Sequence, residues 1–157
     1  YTCTVVCMTS YACKDAVING TQAKILRIKT NEFGSYHSQG MIIHAPNGEE
    51  SELNILNTLG NYGLQRAIIY ANNTESVFLN GFGDYIFQDV TIYAYNTSSL
   101  NIDCTHGNNQ CNNIKVTLYH HGFDISQPVI PTNRMNIKCN DTNQCNNLQI
   151  NIHYYQC

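Results

Sequence analysis

Three closely spaced pairs of cysteines are the residues of this chain with the clearest chemical potential. Such pairs can close a turn through a disulfide or bind a metal ion as thiolates. Metal-binding pairs usually leave only about two to four residues between the ligands, whereas five or six separate the members of each pair here. The spacing therefore favours disulfides over zinc, and no metal site is expected. The pairs are Cys7 with Cys13, Cys104 with Cys111, and Cys139 with Cys145.

The segments on either side of each pair suggest how the cysteines are joined. The first cysteine ends one alternating apolar segment and the second opens the next, so closure of each turn by its own pair is the favoured interpretation. Residues stacked in a parallel sheet lie about 4.8 Å apart, within the roughly 4.4–6.8 Å that a disulfide tolerates between Cα atoms. A bond between coils, such as Cys104 to Cys139, is therefore an open alternative.

Catalytic chemistry is not expected from the ionisable residues. Sites that cleave acidic polysaccharides need clustered aspartates with Arg or Lys nearby, for calcium binding or acid/base work. Here the aspartates are scattered, His106, His120 and His121 have no evident partners, and no serine lies in a nucleophile motif. We expect that the protein is not an enzyme.

The segments that position these cysteines repeat along the chain. A pattern of apolar, any, Ile/Val, any, small or apolar begins at positions 16, 41, 67, 90, 114 and 148, and a second alternating segment precedes each copy. Strict alternation with many β-branched residues favours strands, and a fixed period in the range of about 20–50 residues is typical of solenoids. The central residues of the copies are Ile18, Ile43, Ile69, Ile92, Val116 and Ile150.

These repeats predict an all-β fold, a single parallel β-helix (solenoid) of about six rungs of ~24 residues each, with disulfide-closed turns. One domain is expected over residues 1–157. The long last interval predicts an insertion in the last full rung at about 120–133. In the middle rungs, Asn57 with Leu64 and Gly81 with Phe87 take the places of the cysteine pair.

Composition restricts the partners and the compartment. Charged residues are 12% of the chain and the net charge is −3, so no basic surface for nucleic acid is expected. There is no run of apolar residues long enough for a membrane span. The chain begins at Tyr1 without Met, and we interpret it as a processed product or fragment.

Eight cysteines and four Asn-x-Ser/Thr sequons favour a secreted, oxidised protein that carries N-linked glycans. No other cofactor is expected. The sequon asparagines are Asn19, Asn72, Asn96 and Asn140.

The cysteine turns carry a resemblance to a known group of proteins. A unit of Cys, polar turn, Cys, Asn/Lys, apolar, any, Ile/Val occurs at Cys104–Val116 and Cys139–Ile150, with a looser copy at Cys7–Ile18. It resembles cysteine-rich β-helical repeat proteins of protist cell surfaces and flagellar hairs (mastigonemes). The resemblance implies an extracellular filament or coat protein at a cell surface or flagellar appendage.

The two ends of the predicted β-helix suggest how it assembles. We find no candidate cap before Cys3 or after Ile152, and an uncapped rung presents unpaired backbone groups to a further strand. Cys3 and Cys157 occupy the same column at opposite ends, so head-to-tail stacking places Cys157 of one copy against Cys3 of the next. The alternatives are that Cys3 pairs with Cys7 or Cys13, or that one end bonds a different protein.

The favoured function is therefore that of an extracellular structural protein. We expect it to be a subunit of a glycosylated fibre or surface appendage that assembles by head-to-tail stacking with copies of itself. The alternative is a secreted adhesin or glycan-binding β-helix, with lateral protein or glycan contacts through tyrosines that follow the second strands, such as Tyr70 and Tyr93. A polysaccharide-cleaving enzyme is the least favoured function.

Overall fold

The protein is a parallel β-solenoid. A computed structural model describes the chain in five stretches and shows only strands and turns in them, with no helix. The described residues are 1–9, 11–35, 38–121, 134–140 and 143–155.

The strands alternate between two parallel sheets as the chain coils. Among the described residues each sheet contains six strands, and all pairings within both sheets are parallel. The first sheet contains β1 (Thr2–Cys7), β3 (Ile25–Ser35), β5 (Gly48–Asn61), β7 (Thr74–Phe82), β9 (Ser99–His106) and β11 (Arg134–Lys138). The second sheet contains β2 (Val17–Asn19), β4 (Ile42–His44), β6 (Ile68–Asn72), β8 (Thr91–Tyr95), β10 (Lys115–His121) and β12 (Gln149–Tyr155).

Side-chain alternation explains why these segments form strands around a common core. In β9, Leu100 and Ile102 are buried, while Asn101 and Asp103, which alternate with them, are partly exposed. Successive side chains in a strand point to opposite faces, so one face of each sheet is apolar and the two apolar faces pack together. The inward columns are continuous: Leu26, Leu53, Val77 and Leu100 in the first sheet, and Ile43, Ile69, Ile92 and Val116 in the second.

The turns between the two sheets use left-handed backbone at alternate residues. In the turn after β7, Tyr85, Phe87 and Asp89 have φ of 57°, 57° and 55°. This conformation aims backbone N–H groups along the solenoid axis in both directions: Phe87 donates to the Gly63 carbonyl in one neighbouring coil and Asp89 to the Asn112 carbonyl in the other. These hydrogen bonds stabilise a conformation that is costly for side chains other than Gly, Asn and Asp.

The predicted all-β class and the parallel solenoid are confirmed. Most of the predicted insertion, residues 122–133, lies outside the described residues, and His120 and His121 of its first part end β10. The first cysteine of each pair belongs to one column of residues that stack in successive coils. In this column Cys7 pairs in register with Thr30, Thr30 with Asn57, and Asn57 with Gly81.

Candidate functional site

Each of the three cysteine pairs forms a disulfide within its own turn. The Cα–Cα distances are 5.8 Å for Cys7–Cys13, 6.0 Å for Cys104–Cys111 and 6.3 Å for Cys139–Cys145. The last two bonds lie in neighbouring coils, and the Sγ atoms of Cys104, Cys111 and Cys145 are within 4.8 Å of one another. The bond between Cys104 and Cys139 is therefore not the one that the structure contains.

Apolar packing replaces the disulfide in the turn after β7. Phe87 is fully buried, and a Cβ added to Gly81 would lie only 3.0 Å from the ring carbon Cε2 of Phe87 and 2.8 Å from Ile86. Glycine at position 81 is thus what leaves room for the ring. In the preceding coil a buried hydrogen bond from the Thr30 hydroxyl reaches Asn57.

Side-chain amides form ladders along the turns. Gln39 donates to Gln65 at 2.7 Å, Gln65 donates to Gln88 at 2.9 Å, and the amide of Gln88 donates to the backbone carbonyl of Asn109 at 3.4 Å. A second ladder joins Asn147 to Asn113 and Asn113 to Asp89. The glutamine ladder was missed in the sequence, although the intervals between its members match the repeat period. Such ladders tie successive coils together.

Only one of the two predicted intersubunit cysteines lies within the described residues. Cys3 has an exposed free thiol in β1, and Cys7 and Cys13 are bonded to each other, so Cys3 is paired with neither. Cys157 lies outside the described residues.

At both ends the core columns end on exposed strands. Ile150 and Ile152 of β12 are 40% and 47% exposed, while Val116 and Leu118, their partners in β10, are 0% and 8% exposed. At the other end Cys3 of β1 is exposed, while Leu26, its partner in β3, is fully buried. Each end thus presents apolar and backbone groups of the type that the inner coils bury against each other.

The backbone groups of the outermost strands follow a fixed alternation. The Ile25 N–H donates to the Tyr1 carbonyl, and in a parallel ladder the residues whose N–H and C=O face one neighbour alternate with those facing the other side. Thr2, Thr4 and Val6 therefore direct their backbone groups away from β3. By the same rule, since Arg134 donates to Ser98, Met135 and Ile137 direct theirs away from β9.

All four sequon asparagines are exposed. Asn19 accepts hydrogen bonds from the backbone N–H and the hydroxyl of Thr21, at 3.2 and 2.7 Å. Asn19, Asn72 and Asn96 end or directly follow strands of the second sheet and therefore lie along one corner of the solenoid. Asn140 lies in the last cysteine turn, and its sequon threonine, residue 142, is outside the described residues.

Aromatic rings on the outer face of the second sheet stack on one another. His44, Tyr70 and Tyr93 form a column with ring centroids 5.1 and 5.4 Å apart and nearly parallel planes. Tyr119 stacks on His153 at 5.0 Å. In these stacks, ring faces are covered by neighbouring rings, so edges and hydroxyl groups are presented outward rather than flat ring faces.

The outer face of the first sheet carries a groove of about 370 Å³. One column across it contains Asn54, Phe78, Asn101 and Asn136. The adjacent column contains Leu56, Asn80, Asp103 and Lys138. The polar groups of this groove are mostly side-chain amides, and the sequence pattern placed them outward without indicating that they line a depression.

Asp103 in this groove is held in its ionised form. Burial opposes ionisation, but the hydroxyl and backbone N–H of Thr105 donate hydrogen bonds of 2.6 and 3.0 Å to its Oδ1, and His106 and Lys138 add positive charge nearby. The net effect is that the pKa of Asp103 lies below its usual value. Elsewhere, Asp84 and Asp89 bond to turn groups of the next coil.

The part of the chain that the structure describes contains no helix long and apolar enough to cross a membrane. No family model, no curated protein and no solved structure matches this chain. Function must therefore be inferred from the chain's own residues, because a solenoid fold by itself does not specify a role.

Proposed function

We propose that the protein is an extracellular structural protein, the glycosylated subunit of a fibre or surface appendage that grows by head-to-tail stacking of the β-helix. The observation that carries this proposal is the exposure of Ile150 and Ile152 at one end, in columns that are buried in the inner coils. Six strands in each sheet support a count of six coils per subunit. We also propose that the protein is not an enzyme.

The two ends are complementary as strand edges. If β1 of a second copy continues the first sheet in register, Thr4 of that copy lies opposite Asn136, flanked by Met135 and Ile137. The Thr4 N–H then meets the Met135 carbonyl, and the Ile137 N–H meets the Thr4 carbonyl, because all of these groups point outward. A heterologous contact of this kind does not close, so it builds a linear polymer.

Three disulfides in a chain of this size support an oxidising, extracellular location. The exposed sequon asparagines leave room for glycans, and Asn72 and Asn96 lie at inner strands, away from the strand edges that would stack. Placement in a flagellar appendage rests on the resemblance of the cysteine turns alone.

Glycosylation is tested by the mass of the protein secreted from a eukaryotic host. We expect that Asn19→Gln removes the mass of one N-linked glycan, because the asparagine and its threonine lie in an exposed turn. Asn47→Gln is the matched control, since Asn47 is exposed but lies outside any sequon. Identical masses for the wild type and Asn19→Gln would remove this glycan from the proposal.

Covalent locking of the junction is tested by mass analysis of native material with and without reductant. We propose that Cys157 of one copy bonds Cys3 of the next: each thiol gives up a proton and an electron, and a small disulfide such as oxidised glutathione accepts them. We expect a ladder of oligomers that collapses on reduction, a cross-linked peptide containing both cysteines, and loss of the ladder in Cys3→Ser. Intrachain bonds for both cysteines in a monomer would contradict it.

A further inference from the structure

We propose that the groove on the outer face of the first sheet binds a neutral, hydroxyl-rich glycan chain. This inference is independent of head-to-tail assembly, because the groove lies on a face of the solenoid and not at its ends. Its walls are built by the two outward columns that pass through β5, β7, β9 and β11.

The groove offers the hydrogen-bonding groups that sugar hydroxyls need. Asn54, Asn80, Asn101 and Asn136 supply amides that both donate and accept. They lie on four successive strands, which are spaced by about 4.8 Å, a distance similar to the length of one sugar ring in an extended chain. The Oδ1 of Asn80 is buried without a hydrogen-bond partner among the described residues, so this side chain gains a bond if it turns toward a ligand.

Phe78 supplies the apolar surface that packs against a sugar ring. Its partners in the column are Asn54 and Asn101 rather than other rings. This differs from the second sheet, where Tyr70 and Tyr93 stack on each other and cover their ring faces. An aromatic ring among amides favours the groove over the tyrosine face as the glycan site.

The charges and the strand pairing select against other ligands. Asp103 and Lys138 stand in register in one column, so the groove presents opposite charges side by side and suits an uncharged chain. A peptide could not add as an extra strand, because β7 and β9 are paired on both sides. The remaining alternative occupant of the groove is the outer face of a second copy of the chain.

The test is calorimetric titration of the secreted protein with neutral hexasaccharides of β-linked glucose, mannose and N-acetylglucosamine. We expect at least one to bind with a Kd below about 1 mM, and Phe78→Ala to weaken that binding by about tenfold. Asn101→Ala is expected to weaken it as well. Tyr93→Ala, which removes a ring of similar burial from the other sheet, should leave the affinity unchanged.

Two results would overturn the proposal. One is that no hexasaccharide binds to the wild type. If Phe78→Ala then weakens the association of one copy with another, the groove is occupied by a second copy instead of a glycan. The other is that the affinity survives both Phe78→Ala and Asn101→Ala, or falls only in Tyr93→Ala. Thermal melting of each variant shows that the fold is retained, and Asn101→Ala keeps the test decisive if Phe78→Ala does not fold.

Discussion

Replacing Phe87 with alanine is expected to lower the free energy of unfolding by about 3–5 kcal/mol. The ring is fully buried and fills the part of its turn where other coils have a disulfide, next to Gly81. The cavity left by the ring cannot collapse easily, because the backbone of this turn is bonded to the coils on both sides, through Phe87 itself and Asp89. Urea denaturation followed by circular dichroism measures the change.

Two further variants isolate the reason for this loss. Phe78→Ala removes the same ring from the half-buried outer face and is expected to cost much less. The double variant Gly81→Cys with Phe87→Cys is expected to recover part of the stability by forming the disulfide of the other turns, since its spacing matches Cys7–Cys13. Recovery is only partial because the new Cβ at position 81 displaces Ile86. Equal losses for Phe87→Ala and Phe78→Ala would show that Phe87 does not hold the turn.

Replacing Thr4 with proline is expected to weaken head-to-tail association by about tenfold to a hundredfold. The backbone N–H of Thr4 points away from β3, so proline breaks no hydrogen bond within the first sheet and removes no core side chain. In the polymer it would leave a buried carbonyl without a donor, which costs about 1–3 kcal/mol, or about one to two factors of ten in affinity. Analytical ultracentrifugation over a range of concentrations measures the effect.

The control for this variant is Thr4→Val, which keeps the N–H and the strand propensity. Both are made in a Cys3→Ser background, so that no covalent bond at the junction hides the difference. Equal association of the two variants would mean that β1 does not pair with another copy.

The repeat and its inward columns could be predicted from the sequence because side-chain alternation is a local property of a strand. Ile43, Ile69 and Ile92 recur at nearly equal intervals, and the structure places them in one buried column. The substitution of Gly81 and Phe87 for a cysteine pair was also predicted, because the repeat fixes which residues occupy equivalent positions.

Features that depend on how neighbouring coils meet could not be predicted. Sequence alternation places Asn54 and Asn101 outward, but the groove also depends on side chains of neighbouring coils, such as Phe78, whose arrangement the sequence alone does not give. The direction of the tyrosine rings is set by contact with the ring one coil away, as in Tyr70 and Tyr93. Left-handed backbone at Phe87 is likewise imposed by hydrogen bonds between coils rather than by its residue type.

Electron microscopy of the protein expressed through the secretory pathway of a eukaryotic host tests the central proposal most directly. The proposed six coils per subunit, spaced by about 4.8 Å, give an expected axial repeat of roughly 29 Å. We predict unbranched filaments with that repeat in the wild type and short particles in Thr4→Pro made in the Cys3→Ser background. Single, unassociated particles of the wild type at every concentration would contradict head-to-tail assembly.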